Sequence, residues 1–442
     1  LKRVIIKKLF GILNPDIVFD SGIRIIYGKN GTGKTTILQI INAVLSGSLH
    51  ELKRIKFQRI ICVFDGGYEL IIQKANDNKV PATRRDQFDK KNLFLSLKKS
   101  GEEINSSFIK HHDDVSINMP IEIIESEIPE LDRIGHREWR NTHTGEFLSL
   151  SDIVDTYGHQ LPWLSPSYQK GWYKDFISKF KVKFIQTQRL MTYKYNNEPS
   201  KFRRREYRPG YENTVTRYSI ELRDMLRDKL SESVQISQSL DSTFPNRLLN
   251  KEIQLSHNEQ SIIELANRLE DVRNSLEASG LISATNVIKI QEGSMSDFDQ
   301  RAIHLYLNDS LKKYEVFDGL EKKISLFKKI LNYKFDGTKT VSFSKETGIE
   351  FFTKNGESLN PRLLSSGEQH EVILLYDLIF KTSSDTLVLI DEPEISLHID
   401  WQLSFLSDLE SITELTNPQF IIATHSPSII GNRIDLSQEI EA

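Results

Sequence analysis

The chain has 442 residues, 38% of them hydrophobic, enough for one large domain with insertions or for two to three ordinary domains around sizeable cores. Its 58 basic and 61 acidic residues leave a formal charge of -3, which excludes a sequence-independent pull of the whole molecule on nucleic acid or anionic membrane; any basic surface must be local. The one cysteine, Cys62, excludes an intrachain disulfide framework and a cysteine-based zinc site, and agrees with a reducing compartment.

The start, Leu1-Lys2-Arg3-Val4-Ile5-Ile6-Lys7-Lys8, lacks the long apolar run of a signal peptide, and no stretch of about 18 apolar residues follows. The expectation is a soluble, cytoplasmic protein with no membrane partner, and the initial leucine suggests that a few residues precede it. Up to about residue 100 short apolar runs predict strands: Val4-Ile5-Ile6, Asp16-Ile17-Val18-Phe19, Ile23-Arg24-Ile25-Ile26, Ile60-Ile61-Cys62-Val63-Phe64 and Leu70-Ile71-Ile72. Glycine turns such as Asp65-Gly66-Gly67 separate them. One helix is predicted among these strands, from Thr35 to Leu45, directly behind Gly28-Lys29-Asn30-Gly31-Thr32-Gly33-Lys34-Thr35.

That loop matches GxxxxGK[ST] between a strand and a helix. The backbone N–H groups of Gly28, Asn30, Gly31 and Gly33, with the helix N-terminus at Thr35 and Thr36, can cradle phosphates; Lys34 can neutralise β and γ oxygens; and the Thr35 hydroxyl can ligate magnesium. In isolation such a glycine turn can simply join a strand to a helix; the strand-loop-helix context favours a nucleotide site. An ATP site with Mg2+ is the expectation.

From Gln73 to Tyr173 the pattern weakens around Trp139, Trp163 and Trp172, read as strands and loops inserted into a first lobe, residues 1–199. Strand character returns at Val182-Lys183-Phe184-Ile185. Over residues 200–332 apolar residues fall at helical spacing, as in Ile262, Leu265, Leu269, Val272 and Leu276; the heptad-like run is short, so a compact helical insertion is preferred over a long coiled coil. Residues 333–442 form the second lobe, with strands at Thr340-Val341-Ser342-Phe343 and Ile349-Glu350-Phe351-Phe352 and then alternating strands and helices.

Three further motifs lie in this last lobe. Leu364-Ser365-Ser366-Gly367-Glu368-Gln369 precedes an apolar helix; Ser365, Gly367 and Gln369 can form a phosphate-recognising surface, and a serine N-cap on a core helix is an equally compatible reading. Thr386-Leu387-Val388-Leu389-Ile390-Asp391-Glu392 is a buried strand ending in two carboxylates, Asp391 for the magnesium shell and Glu392 to polarise a water. Gln419 to Thr424 is a strand ending at His425.

In this order the phosphate loop, the LSGGQ-like segment, the hhhhDE strand and the histidine resemble the ATP-binding cassette ATPases. Asp391-Glu392-Pro393-Glu394-Ile395-Ser396-Leu397-His398 resembles the branch that holds SMC-like repair ATPases, RecF and OLD-type defence ATPases. The resemblance implies an α/β P-loop NTPase head, with a mostly parallel sheet, an antiparallel β lobe and a helical insertion. It implies a head-to-tail homo-oligomer, at minimum a dimer, in which Ser365 and Gly367 of one protomer close on ATP held by Lys34 of another. Lys34, Glu392 and His425 are then the catalytic residues, and Thr35, Asp391 and a glutamine serve the metal. Gln188 is the choice for that glutamine, with Gln186 as alternative. His398 stands where transporter relatives carry an aspartate.

Lys34 and Ser365 lie much further apart than in transporter ATPases, which argues against a transporter subunit. Thr187-Gln188-Arg189-Leu190, the continuous Ser365 to Glu371 segment, Glu392 to Gln402 and Ala423-Thr424-His425-Ser426-Pro427 resemble the ATPase subunits of bacterial anti-phage systems. That resemblance implies a separate Toprim-type nuclease partner and a phage-encoded trigger protein; only Ser428 to Ala442 follow the histidine motif, so the effector is expected on another polypeptide. The competing expectation is a RecF-like or SMC-like clamp on DNA, supported by the basic and aromatic run Lys201-Phe202-Arg203-Arg204-Arg205-Glu206-Tyr207-Arg208. His111-His112-Asp113-Asp114 is read as a solvated loop, and the run from His136 to His143 as a hairpin anchored by Trp139.

Overall fold

The structure is a computed structural model. It describes all residues except 20–21, 50, 53–54, 75–92, 110–123, 125–127, 129–130, 136–137, 142–146, 150–152, 154–156, 158–170, 187–190, 194–210, 250–258, 283–295, 396 and 441–442. The chain forms two compact units, one of Leu1–Gln188, Tyr193–Tyr211 and Thr382–Ala442, the other of Arg189–Thr192 and Glu212–Lys381.

In the first unit the strands β1 (Arg3–Lys7), β2 (Asp16–Val18), β3 (Ile23–Tyr27), β4 (Arg59–Val63), β5 (Tyr68–Lys74), β6 (Leu93–Lys99) and β7 (Glu102–Ile109) surround the helix α1 (Lys34–Ser46) in sequence. Alternation of buried and half-exposed residues in β1 and β4 puts one face of an antiparallel sheet, ordered β2-β1-β4-β5-β6-β7, against the core. Three short strands, β8 (Leu131–Arg133), β9 (Glu138–Asn141) and β10 (Phe147–Ser149), form a small sheet. Trp139 in its middle strand is fully buried with Ile124, Ile128, Leu148, Ile153 and Tyr157, so the indole anchors a minor core of its own.

The main sheet of this unit is wholly parallel. It contains β3, joined by β11 (Lys181–Ile185), β17 (Thr386–Asp391), β18 (Gln419–Thr424) and β19 (Ser437–Glu439) in the order β11-β17-β18-β3-β19. Every residue of β17 is buried, the pattern of a central strand covered on both faces. Helices α1 and α2 (Trp172–Ile177) share one hydrophobic core with this sheet and the antiparallel one. The register aligns Asp391 with Ala423 and Ala423 with Ile26. Three chain segments therefore leave the carboxyl end of the sheet in one row, where parallel α/β sheets place their ligands.

The second unit holds the long helix α3 (Thr214–Leu249), then α4 (Glu259–Ala278), α5 (Asp297–Glu315) and α6 (Asp318–Lys334). Two short strands, β12 (Met191–Tyr193) and β13 (Tyr211–Asn213), precede them in the chain. Ile262 and Leu269 of α4 meet Leu307 and Leu311 of α5, so the predicted apolar stripe is the seam of a helical pair. The two predicted strands are present as β14 (Lys339–Ser344) and β15 (Gly348–Thr353), paired antiparallel, with β16 (Ser358–Leu359) alongside. Gly348 at its turn has φ 86°, and a Cβ there would lie 1.8 Å from the Ser219 carbonyl oxygen, so only glycine lets α3 pass so close. Helix α7 (Ser366–Ile379) is buried from His370 to Ile379. The first unit ends with α8 (Ile399–Thr416) and α9 (Pro427–Ile430). The described residues form a mixed α/β fold with a parallel sheet and antiparallel ones, as the sequence predicts. Among the described residues no helix is long and apolar enough to cross a membrane.

Candidate functional site

The loop between β3 and α1 turns into its helix through Gly33, whose φ of 84° lies in the left-handed region; a Cβ would come within 2.9 Å of the Phe10 ring. Gly33, as N-cap, offers no side chain to this helix, so the N–H groups of its first turn can turn to a ligand or water. Lys34 is buried, and its ammonium donates to the carbonyls of Gly28 at 3.0 Å and Lys29 at 3.1 Å, which holds it over the loop. Burial lowers its pKa, against the pull of Glu392, Glu394 and Asp391. Thr36 is half-buried and Asn30 and Gly31 are exposed at the rim.

The Thr35 hydroxyl donates to Asp391 Oδ1 at 3.0 Å, bridging α1 and the end of β17. Asp391 is buried, and this desolvation raises its pKa, with Glu392 and Glu394 adding to the rise while the Thr35 hydrogen bond and Lys34 oppose it. A hydroxyl and a carboxylate at this spacing form a hard-oxygen set suited to magnesium. Glu392 takes φ 45°, an uncommon conformation for a side chain of its size, and its N–H donates to the Ala423 carbonyl at 2.8 Å. The strand end is thus kinked while its ladder continues, and the Glu392 carboxylate reaches the next strand's exit, 3.7 Å from His425 Nε2.

His425 Nδ1 lies 3.4 Å from the Lys34 ammonium. In the neutral tautomer that lets Nδ1 accept from the ammonium, Nε2 carries the hydrogen and faces Glu392. Lys34, Thr35, Asp391, Glu392 and His425 therefore stand together at one end of the parallel sheet, although they come from positions far apart in the chain. Two residues without a role in the sequence reading join them. Glu394 Oε1 accepts from the His425 N–H at 2.7 Å, and the Ser426 hydroxyl donates to Gln402 Oε1 at 2.7 Å. Both lie within the segment whose wording carried the family resemblance; only the folded turn gives them an address.

The LSGGQ-like segment belongs to the second unit. Ser365 caps α7: its hydroxyl accepts from the Glu368 N–H, and Glu368 accepts from the Ser365 N–H at 2.7 Å. The N-cap reading of this serine is therefore present in the structure, with Ser365 itself exposed and Gly367 half-buried. Gln369 is held by Asn213, which donates to its Oε1 at 2.7 Å, and by the Leu364 carbonyl. Lys339 pairs with Glu368 at 2.5 Å. The desolvation that would raise the Glu368 pKa is outweighed by Lys339 and the Ser365 bonds, so its carboxyl sits below the usual range.

Gln188 lies outside the described residues, as do Lys201 to Arg208 and His111 to Asp114; Gln186, the alternative glutamine, is exposed just past β11. His398 is the exposed N-cap of α8, its Nδ1 accepting from the Asp400 N–H at 3.4 Å.

Among solved structures, the chain is similar to the Smc head domain with an extended coiled coil bound to the C-terminal domain of ScpA from Pyrococcus furiosus. The identity is 13%, 98% of this chain and 91% of that chain are covered, and the TM-score is 0.34. It is also similar to the SMC head domain of Thermotoga maritima, at 11% identity, 99% and 92% coverage and a TM-score of 0.32. The family model described as AAA ATPase domain matches residues 1–430. With phosphate loop, strand-end carboxylates and histidine assembled at one end of its sheet, the chain belongs to the AAA ATPase domain family.

Proposed function

We propose that this protein is an ATP-binding and ATP-hydrolysing switch in which the phosphate loop forms half of a composite site, completed when a second protomer supplies Ser365, Gly367 and Gln369. Residues 1–199 and 333–442 are read as two lobes of one cassette head, interrupted by the helical segment 200–332. The observation that carries the reading is the bond from Thr35 to Asp391 beside Lys34, which joins loop and strand end in one oxygen-lined cradle. Gly28, Asn30, Gly31, Gly33 and Thr36 line the phosphate side; Thr35 and Asp391, with Gln188 from the lobe junction, would hold Mg2+. Magnesium, when bound, neutralises charge on the β and γ oxygens. Glu392 accepts the proton of the attacking water, Lys34 offsets phosphate charge, and His425 fixes the γ side from its place between them.

At the level of biology, the proposal is a sensor and scaffold subunit of a bacterial anti-phage system, resembling AriA of PARIS with PtuA of Septu as a neighbour. It would act in the cytoplasm and hold a Toprim-type nuclease until a phage-encoded trigger protein releases it. Support comes from the motif wording of the four segments together with membership of the ATPase family.

Lys34→Ala should abolish ATP binding, whereas Glu392→Gln should retain ATP and shift the protein to a larger assembly in light scattering. A Glu392→Gln variant that neither retains ATP nor changes size sinks the composite-site mechanism. Copurification with a Toprim-type nuclease, and its loss on exposure to phage infection, tests the defence role; steeply salt-dependent binding to DNA would instead favour the clamp reading.

A further inference from the structure

His425 is the first residue after the last paired position of β18, so its backbone has left the sheet ladder before its imidazole reaches the site. A residue at such an exit has torsional freedom that strand pairing no longer restricts. Here two successive residues are tied down from the same neighbouring segment. Glu394 Oε1 accepts the His425 N–H at 2.7 Å, a bond strengthened by the carboxylate's charge. One residue later the Ser426 hydroxyl donates to Gln402 Oε1 at 2.7 Å, and the Gln402 amide is oriented by its own donation to the Leu397 carbonyl at 3.1 Å. The Ser426 Oγ also accepts from the Ser428 N–H at 3.2 Å, so the chain beyond is stapled as well.

Both anchors come from the stretch that begins at Glu392 and ends in the first turn of α8. Glu392 itself is fastened to β18 by its N–H bond to the Ala423 carbonyl. Glu392 and His425 are therefore carried by one cross-linked pair of turns, with ties at 392 to 423, 394 to 425 and 402 to 426. A purely turn-forming glutamate would bond its own segment; this one spends its short bond on the opposite loop.

We propose that Glu394 and Gln402 are positioning residues for His425, Glu394 holding its backbone N–H and Gln402 holding the side chain of the next residue, Ser426, thereby fixing where the imidazole stands between Lys34 and Glu392. The inference rests on the ATPase reading of the site for its consequence, and on geometry alone for its mechanism. Loss of either tie lets the imidazole drift by the order of an ångström, which at a reacting centre costs about 100-fold in rate.

The experiment has two arms. Hydrogen exchange of the nucleotide-free protein reads the geometry: Glu394→Ala and Gln402→Ala should speed exchange over residues 425–430 and leave 419–424 protected. Unchanged exchange over 425–430 in both variants overturns the proposal, whatever the activity. Steady-state ATP hydrolysis reads the consequence: both variants should lower kcat about 10- to 100-fold with KM nearly constant. Glu394→Gln, which keeps the acceptor oxygen, should recover most of the rate, and Glu394→Ala should add little to His425→Ala. Full additivity of those two substitutions, or a Glu394→Gln enzyme as slow as Glu394→Ala, overturns the positioning role. Exchange changes as expected in a wild-type protein that hydrolyses no ATP would overturn the ATPase reading and leave the tether standing.

Discussion

Lys334, the last residue of α6, meets Glu371 of α7 at 2.5 Å, and the two side chains are 0% and 1% exposed. Neutralising one partner leaves the other charge in the interior. Breaking such a buried pair costs about 3–5 kcal/mol, because the remaining ion stays desolvated and loses its oppositely charged neighbour. At about 1.4 kcal/mol per tenfold, Lys334→Met should lower the folding equilibrium constant of the second unit by two to three and a half orders of magnitude. For a unit of this size that corresponds to a fall of about 6–20 °C in Tm. Urea unfolding followed by circular dichroism, with Lys334→Met, Glu371→Leu and the double variant side by side, measures it. The double variant should return to within about 1 kcal/mol of the wild type, since it removes both charges. A single variant costing less than about 1 kcal/mol, or a double variant as unstable as the sum of the singles, refutes the reasoning.

Gly348→Ala should destabilise the second unit by more than about 3 kcal/mol, because a Cβ must displace the Ser219 carbonyl and the backbone stays at positive φ; a Tm within 2 °C of wild type, by the scale of about 2–4 °C per kcal/mol, argues against that close approach. Tyr218→Phe should cost about 1–3 kcal/mol, as it removes the hydroxyl that donates to Asp377 at 2.9 Å in a buried setting while keeping the ring stacked on Tyr376; unchanged urea midpoints would count against it. Burial pushes the Cys62 thiol up to about 12, so the native protein should resist thiol reagents at pH 8 and react fully in denaturant. The sign for stability follows: once pH passes the ordinary thiol range near about 8.5, only the unfolded chain gives up this proton, and stability falls with further alkalinity at up to about 1.4 kcal/mol per pH unit. Native-state labelling at the rate of a free thiol would refute it.

The parts of this protein that were legible in the sequence are those encoded over a few consecutive residues. GKNGTGKT reads as a phosphate loop because the glycines and Lys34 act through backbone within one turn, and the Thr386 to Asp391 run reads as a buried strand because its apolar residues are contiguous. The helical spacing of Ile262 to Leu276 foretold the seam with α5's face in kind, though not its partner residues. Ser365 was open between an N-cap and a phosphate-recognition residue, and the structure supplies the cap without deciding the other role.

Tertiary structure alone decided what depends on register and on contacts between distant segments. The alignment of Asp391, Ala423 and Ile26 across three strands brings Thr35, Glu392 and His425 together, and no local pattern states that alignment. Glu394 and Gln402 were visible as letters near the carboxylates, yet their partners, His425 and Ser426, come 31 and 24 residues later in the chain. Likewise no local pattern pairs Lys334 with Glu371; only packing brings the two charges together away from water. Local chemistry, in short stretches, specified which side chains can handle a phosphate; the parallel sheet's register, set by burial of its two faces, determined where they meet.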